Sequence, residues 1–148
     1  MISFNLKGKN GGCKLKSFIV DTVAFLAYLS DNLPNKVDEL FKEAENKQVK
    51  LLLPSIALGE MLYTIYKGKE IFGNEIPLEK IELIFQILEE EEIIQLTNLD
   101  IPAWRIFNGI NISELHDRII ISSFYQHKAS AILTNDKEIG EITPIIWK

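Results

Sequence analysis

Three short runs of the chain are apolar at nearly every position: SFIVD (17–21), VKLLLP (49–54) and the AIL portion of ASAILTND (129–136). An unbroken apolar run of this length suits a strand buried on both faces, the pattern of a parallel sheet covered by helices on each side. The residues between these runs carry helical periodicity. TVAFLAYLS (22–30) predicts a helix with Phe25, Leu26 and Leu29 on one face, broken at Pro34, and VDELFKEAENK (37–47) predicts an amphipathic helix. SIALGEMLYTIYKGKEIFG (55–73) opens on a Ser cap, buries Ile56, Met61, Leu62 and Ile65, and ends at Gly73-Asn74. LEKIELIFQILEEEE (78–92) places Ile81, Ile84, Phe85 and Leu88 on one helical face, and IIQL (93–96) reads as a strand. IPAWRIFNGI (101–110) is a short helix introduced by Pro102, SELHDRIIISSFYQHK (113–128) a helix capped by Ser113, and TPIIW (143–147) a last short strand. Strands alternating with helices argue for an α/β fold, a three-layer α/β/α sandwich with a mostly parallel central sheet.

Composition narrows the function classes. The chain has 148 residues, 47% hydrophobic and 25% charged, which fits one globular domain. One cysteine, Cys13, forms no internal bridge, and His116 and His127 are too few to build a zinc cluster with it. The net charge of −5 argues against a protein that binds nucleic acid through its overall field. Charge is uneven, however: residues 1–16 hold Lys7, Lys9, Lys14 and Lys16 and no acid, whereas 79–92 sum to −5. Residues 1–16 read as a basic N-terminal arm or tag-like extension, ahead of a single domain over 17–148. The lysines before FIVDTVAFLAYL imitate a signal peptide, yet Asp21 interrupts the apolar stretch and no small-x-small cleavage site follows. No stretch approaches the roughly 18 apolar residues a membrane span needs. The expected setting is the cytoplasm, with no membrane partner.

In a parallel α/β sheet, ligands bind beyond the carboxyl ends of the strands. Asp21 closes SFIVD, and Asp136 closes AILTND. Two more acids interrupt helix patterns where apolar or small residues are expected: Glu60, between Leu58 and Met61, and Asp117, just before Ile119–Ile121. Taken singly, each has a plainer role as a turn, cap or solvent-facing acid, or as compensation for a helix dipole. Were they to converge, two carboxylates about 4 Å apart would repel by roughly 4 kcal/mol at an effective dielectric near 20. Such a cluster calls for raised pKa values or a bound cation, and carboxylates without His or Cys suit Mg²⁺ or Mn²⁺. Hard ions at the mouth of an α/β sheet are a phosphoryl-transfer arrangement.

FIVDTVAFLAYL, PSIALGEMLYTI, ELHDRIIISSFYQHKASAILTNDKEI and the closing IIW together resemble the PIN-domain nucleases, in particular toxin ribonucleases of the VapC type. The resemblance spans about residues 17–147. It implies that Asp21, Glu60, Asp117 and Asp136 hold one or two Mg²⁺ or Mn²⁺ ions and hydrolyse RNA phosphodiesters. Thr22 and Thr134 match the family's supporting hydroxyl residues. A homodimer, inhibited by a small antitoxin whose chain end enters the groove, is also implied. The Lys-rich residues 1–16 precede the usual family start, and PIN domains also serve in RNA maturation and decay. The rival expectation is a non-catalytic PIN-like interaction module. A receiver-type or phosphatase acid cluster fits less well, because DT stands at 21–22 and only ND at 135–136.

Of the remaining polar and aromatic residues, His116 is read as a surface or capping residue, with an orienting contact to phosphate or metal-bound water as the alternative. Arg118 and Lys137 are read as solvated charges or RNA-phosphate contacts, and Glu89–Glu92 as a solvated helix end. Trp104 and Trp147 are read as core or dimer-interface residues rather than stacking platforms.

Overall fold

The computed structural model describes residues 14–148; Lys7, Lys9 and Cys13 lie outside them. Five strands form one sheet in the order β5-β2-β1-β6-β7: β1 Ser17–Val20, β2 Lys50–Pro54, β5 Ile94–Thr97, β6 Ala131–Leu133 and β7 Ile145–Ile146. Each neighbouring pair runs parallel, with Ile19 opposite Leu52 on one side and Ile132 on the other. Consecutive residues in the central strands are all buried: Phe18, Ile19 and Val20; Leu51, Leu52 and Leu53; Ala131, Ile132 and Leu133. Because successive side chains point to opposite faces, both faces of the sheet are covered, as the unbroken apolar runs require.

The covering helices are α1 Thr22–Leu29, α2 Asn35–Glu45, α3 Ser55–Tyr66, α4 Lys80–Glu90, α5 Ile101–Gly109, α6 Leu115–Gln126 and the single turn α7 Lys137–Gly140. The chain winds outward from β1 through β2 to β5, then crosses to β6 and β7 on the opposite side of β1. Connections therefore reverse direction between β1 and β6, and at such a switch point the strand ends leave a crevice. Asp21 directly follows β1, and Asp136 lies three residues beyond β6.

Several local expectations are corrected. The helix expected over 55–73 stops at Tyr66 and is followed by an antiparallel hairpin, β3 Glu70–Ile71 and β4 Asn74–Glu75. Gly68 (φ +67°) ends it: the Gly68 N–H donates to Ile65 O and the Lys69 N–H to Thr64 O, the bond pair of a Schellman closure. Ser55 and Ser113 do not cap. α3 starts after Pro54 and α6 after Glu114, neither with a side-chain cap, whereas Asp100 caps α5 by accepting from the Ala103 N–H. α1 is buried almost all round rather than on one face, Ile56 and Leu62 are only partly buried, and Phe85 is exposed where Ile87 is buried. Trp147 packs against the core, while Trp104 is exposed.

Ile19 is fully buried in the central strand, so Ile19→Ala should destabilise the protein by about 2–5 kcal/mol. Exposed Ile101→Ala should shift stability by no more than about 0.5 kcal/mol. Urea denaturation of the two variants checks the pair, and equal losses would contradict this assignment of the core.

Candidate active site

Asp21 is both the last polar residue of the β1 rim and the N-cap of α1. Its backbone N–H donates to Leu133 O, which ties the end of β1 to β6. Three donors hold its carboxylate: the Thr22 N–H at 2.7 Å and His116 Nε2 at 2.8 Å on Oδ1, and Thr134 Oγ1 at 2.8 Å on Oδ2. Thr134 Oγ1 in turn accepts from the Asp136 N–H at 3.1 Å. Thr22 Oγ1 points the other way, to Ala57 O on α3 at 3.5 Å, so it braces α1 against α3.

His116, at the start of α6, lies between two acids: Nε2 is 2.8 Å from Asp21 Oδ1 and 3.7 Å from Glu60 Oε1. The surface or capping role expected for it is corrected; it bridges α1 and α3 inside the site. Burial lowers its pKa, but the hydrogen bond and charge of Asp21, with Glu60 and Asp117 behind, outweigh this and leave it raised. Nδ1 is buried without a partner among the described residues.

The next residue, Asp117, is buried in the first turn of α6. Burial first, then the Asp136 carboxylate, followed by Asp21 and Glu138, lifts its pKa from 3.8 to about 6, against the opposing pull of His116. Asp136 caps α7, its Oδ1 accepting from the Glu138 and Ile139 N–H groups. One carboxylate oxygen each from Asp117, Asp136 and Glu138 lie within 4.8 Å of one another. An all-oxygen, three-carboxylate donor set is the chemistry a hard divalent cation takes. The raised Asp117 pKa reflects its burial first and the neighbouring carboxylates second.

All four sequence-predicted acids line one cavity of about 470 Å³, together with Thr22, Thr134, His116 and Glu138. They are not equivalent within it. Asp117 and Asp136 lie in the cation-sized cluster, Asp21 accepts three hydrogen bonds beside it, and Glu60 stands beyond His116, about half exposed. Glu138 was missed from sequence. Its signal is the Asp-x-Glu spacing after β6, which one helical turn folds back on the same ion-sized space. Arg118 is neither a solvated charge nor poised for phosphate: it donates to Ile112 O and Phe107 O and lies over the Phe107 ring. Glu89–Glu92 are exposed as expected, with Glu92 paired to Lys47. A second cavity of about 420 Å³, bordered by Ser55, Thr97 and Trp104, carries no ionisable side chain.

A family model described as PIN domain matches residues 18–143. No curated protein matches the sequence significantly. Among solved structures, VapBC2 from Rickettsia felis bound to a DNA fragment from its promoter superposes with a TM-score of 0.65 at 16% identity, covering 89% of this chain and 99% of that one. DNA-bound VapBC from Salmonella typhimurium gives 0.63 at 17% identity, covering 90% and 98%.

The raised pKa values set the sign of a pH dependence. Asp117 is protonated more readily folded than unfolded, so its stabilisation is present below pH 3.8 and lost as pH rises to about 6. His116, also raised, stabilises below its ordinary 6.5 and loses that contribution as pH climbs through its folded value. In EDTA, Asp117→Asn should therefore melt higher than wild type at pH 7.5, with the difference shrinking towards pH 4. Calorimetry across that range checks it; a pH-independent difference would contradict the raised pKa of Asp117.

Proposed function

The chain belongs to the PIN domain family, and on that premise we propose that it is a divalent-metal-dependent endoribonuclease, the toxin of a toxin–antitoxin pair. One observation carries the chemistry: the convergence of Asp117, Asp136 and Glu138 oxygens within 4.8 Å, next to a hydrogen-bonded Asp21 at the switch point of a parallel sheet. The toxin assignment draws on the resemblance of the sequence motifs to VapC-type ribonucleases and on the likeness of the fold to two VapBC structures.

Asp117, Asp136 and Glu138 would hold Mg²⁺ or Mn²⁺, with Asp21 and Glu60 beside them. A bound ion supplies charge neutralisation, polarisation of a phosphate and a more acidic attacking water. The protein's own groups position that chemistry. Thr134 joins Asp21 to the Asp136 backbone, which fixes the distance between the two strand-end acids. His116 stands between Asp21 and Glu60, and when protonated its charge partly offsets theirs. No serine, threonine or cysteine is assigned as a nucleophile. The catalytic domain is assigned to 17–148, with residues 1–16 as a basic arm or tag-like extension. Among the described residues no helix is long and apolar enough to cross a membrane, in keeping with a cytoplasmic enzyme. We assign RNA as substrate, a small antitoxin protein as partner and a homodimer as the working form. Exposed Trp104 suits the interface role allowed for it, since it is not in the core.

Mixed-sequence RNA should be cut in Mg²⁺ or Mn²⁺ and spared in EDTA, and Asp117→Asn should lower cleavage by roughly a hundredfold or more. Thr134→Val, which removes the hydroxyl linking Asp21 and Asp136, should weaken metal affinity or activity about 10–100-fold. A metal at 100 times its Kd should stabilise wild type by about 2.7 kcal/mol and Asp117→Asn by much less. Absence of both cutting and thermal shift would point to a non-catalytic PIN module.

A further inference from the structure

Five non-glycine residues have positive φ among the described residues. Four of them, Asp31, Lys47, Glu91 and Lys128, are polar and stand where α1, α2, α4 and α6 end. The fifth is Phe72 (φ 53°), which with Gly73 (φ 86°) makes the two-residue turn between β3 and β4. A hairpin with positive φ at both turn positions favours Asn-Gly or Asp-Gly, and a bulky aromatic there is strained. Its side chain nonetheless stays 42% exposed. Strain kept at an exposed aromatic points to a use outside the fold.

The surroundings identify that use. Ile71, the residue before Phe72, lines the carboxylate cavity, as do Glu60 and Thr64 on α3. Also on α3, Tyr63, one turn on from Glu60, and Tyr66, at the end of the helix, are 56% and 77% exposed. The Tyr63 ring has Lys67 Nζ at 5.7 Å and Lys69 Nζ at 5.8 Å from its centroid. Three exposed aromatic residues and two exposed lysines thus occupy the end of α3 and the adjoining hairpin, next in the chain to the cavity-lining Thr64 and Ile71.

We propose that this ledge is a substrate subsite on which bases of a single-stranded RNA stack while its phosphates meet Lys67 and Lys69, leading the strand into the carboxylate cavity. The proposal rests on the nuclease reading above. Aromatic faces accept any base, and lysines between them suit a backbone phosphate. The ledge is not a strong electrostatic attractor, because Glu70 and Glu75 stand opposite each other across the hairpin and balance the two lysines. Stacking carries the affinity, and the salt dependence is shallow. An apolar peptide would use the rings but gain nothing from the paired lysines, so RNA is the better occupant.

The test is fluorescence anisotropy of a labelled mixed-sequence RNA of about 16 nucleotides, with the full chain in EDTA so that nothing is cut. Phe72→Asn, which suits the turn conformation and so keeps the fold, and Tyr66→Ala should each weaken binding about 5- to 150-fold. Replacing Lys67 and Lys69 with Ala should reduce the slope of log affinity against log salt by about 1.4. If wild type binds and, with metal, cuts RNA while these variants bind within twofold of it, the ledge assignment is overturned and the nuclease reading stands. If wild type neither binds nor cuts RNA, both fall. Variants that keep RNA binding but lose a protein partner would likewise overturn the assignment and give the ledge to that partner.

Discussion

The Asp21 carboxylate accepts hydrogen bonds from the Thr22 amide, the His116 ring and the Thr134 hydroxyl, groups that belong to α1, α6 and the segment after β6. Those elements meet only because β1 and β6 are neighbours across the point where the sheet reverses its winding. A charged group this deeply buried must be compensated, and charge-assisted bonds to three donors do so. Through Thr134 the arrangement reaches Asp136, and through His116 it reaches Glu60. The site is one connected polar network with Asp21 at its centre.

Those hydrogen bonds separate two kinds of carboxylate within one cavity. Asp21 accepts from three protein donors, whereas Asp117 is buried beside Asp136 and Glu138, and burial first, then the neighbouring carboxylates, lifts its pKa to about 6. The first kind fixes geometry, and the second stores the repulsion that a cation relieves. Capping and chemistry are not rival roles here. Asp21 caps α1 and Asp136 caps α7, and the cap bonds orient carboxylates that also face the cavity.

Legibility from sequence followed the range of the interaction concerned. FIV, LLL and AIL read as buried strands because burial on both faces leaves no polar position within the run. Helix α3 was drawn too long because KGKEIFG has no breaker but glycine. Whether Gly68 closes a helix or merely sits in one depends on the Lys69 amide finding Thr64 O. Phe72 in a turn was equally hidden, since its propensity argues for a strand and the hairpin overrides it. Arg118 looked like a solvated charge because nothing local announces the Ile112 and Phe107 carbonyls that it meets.

The sequence by itself determined the α/β class, the buried central strands and the acids at or near their ends, because hydrophobic periodicity and the placement of a charge after an apolar run are local signals. Only the tertiary structure decided which acids share a cation-sized space and which do not. It brought Glu138 in through a single turn of helix, set Glu60 apart behind an imidazole, and drew His116 from an expected surface position to the centre of the network. Those outcomes depend on contacts between residues up to 113 positions apart. Such contacts exist only once the sheet order has placed β1 beside β6.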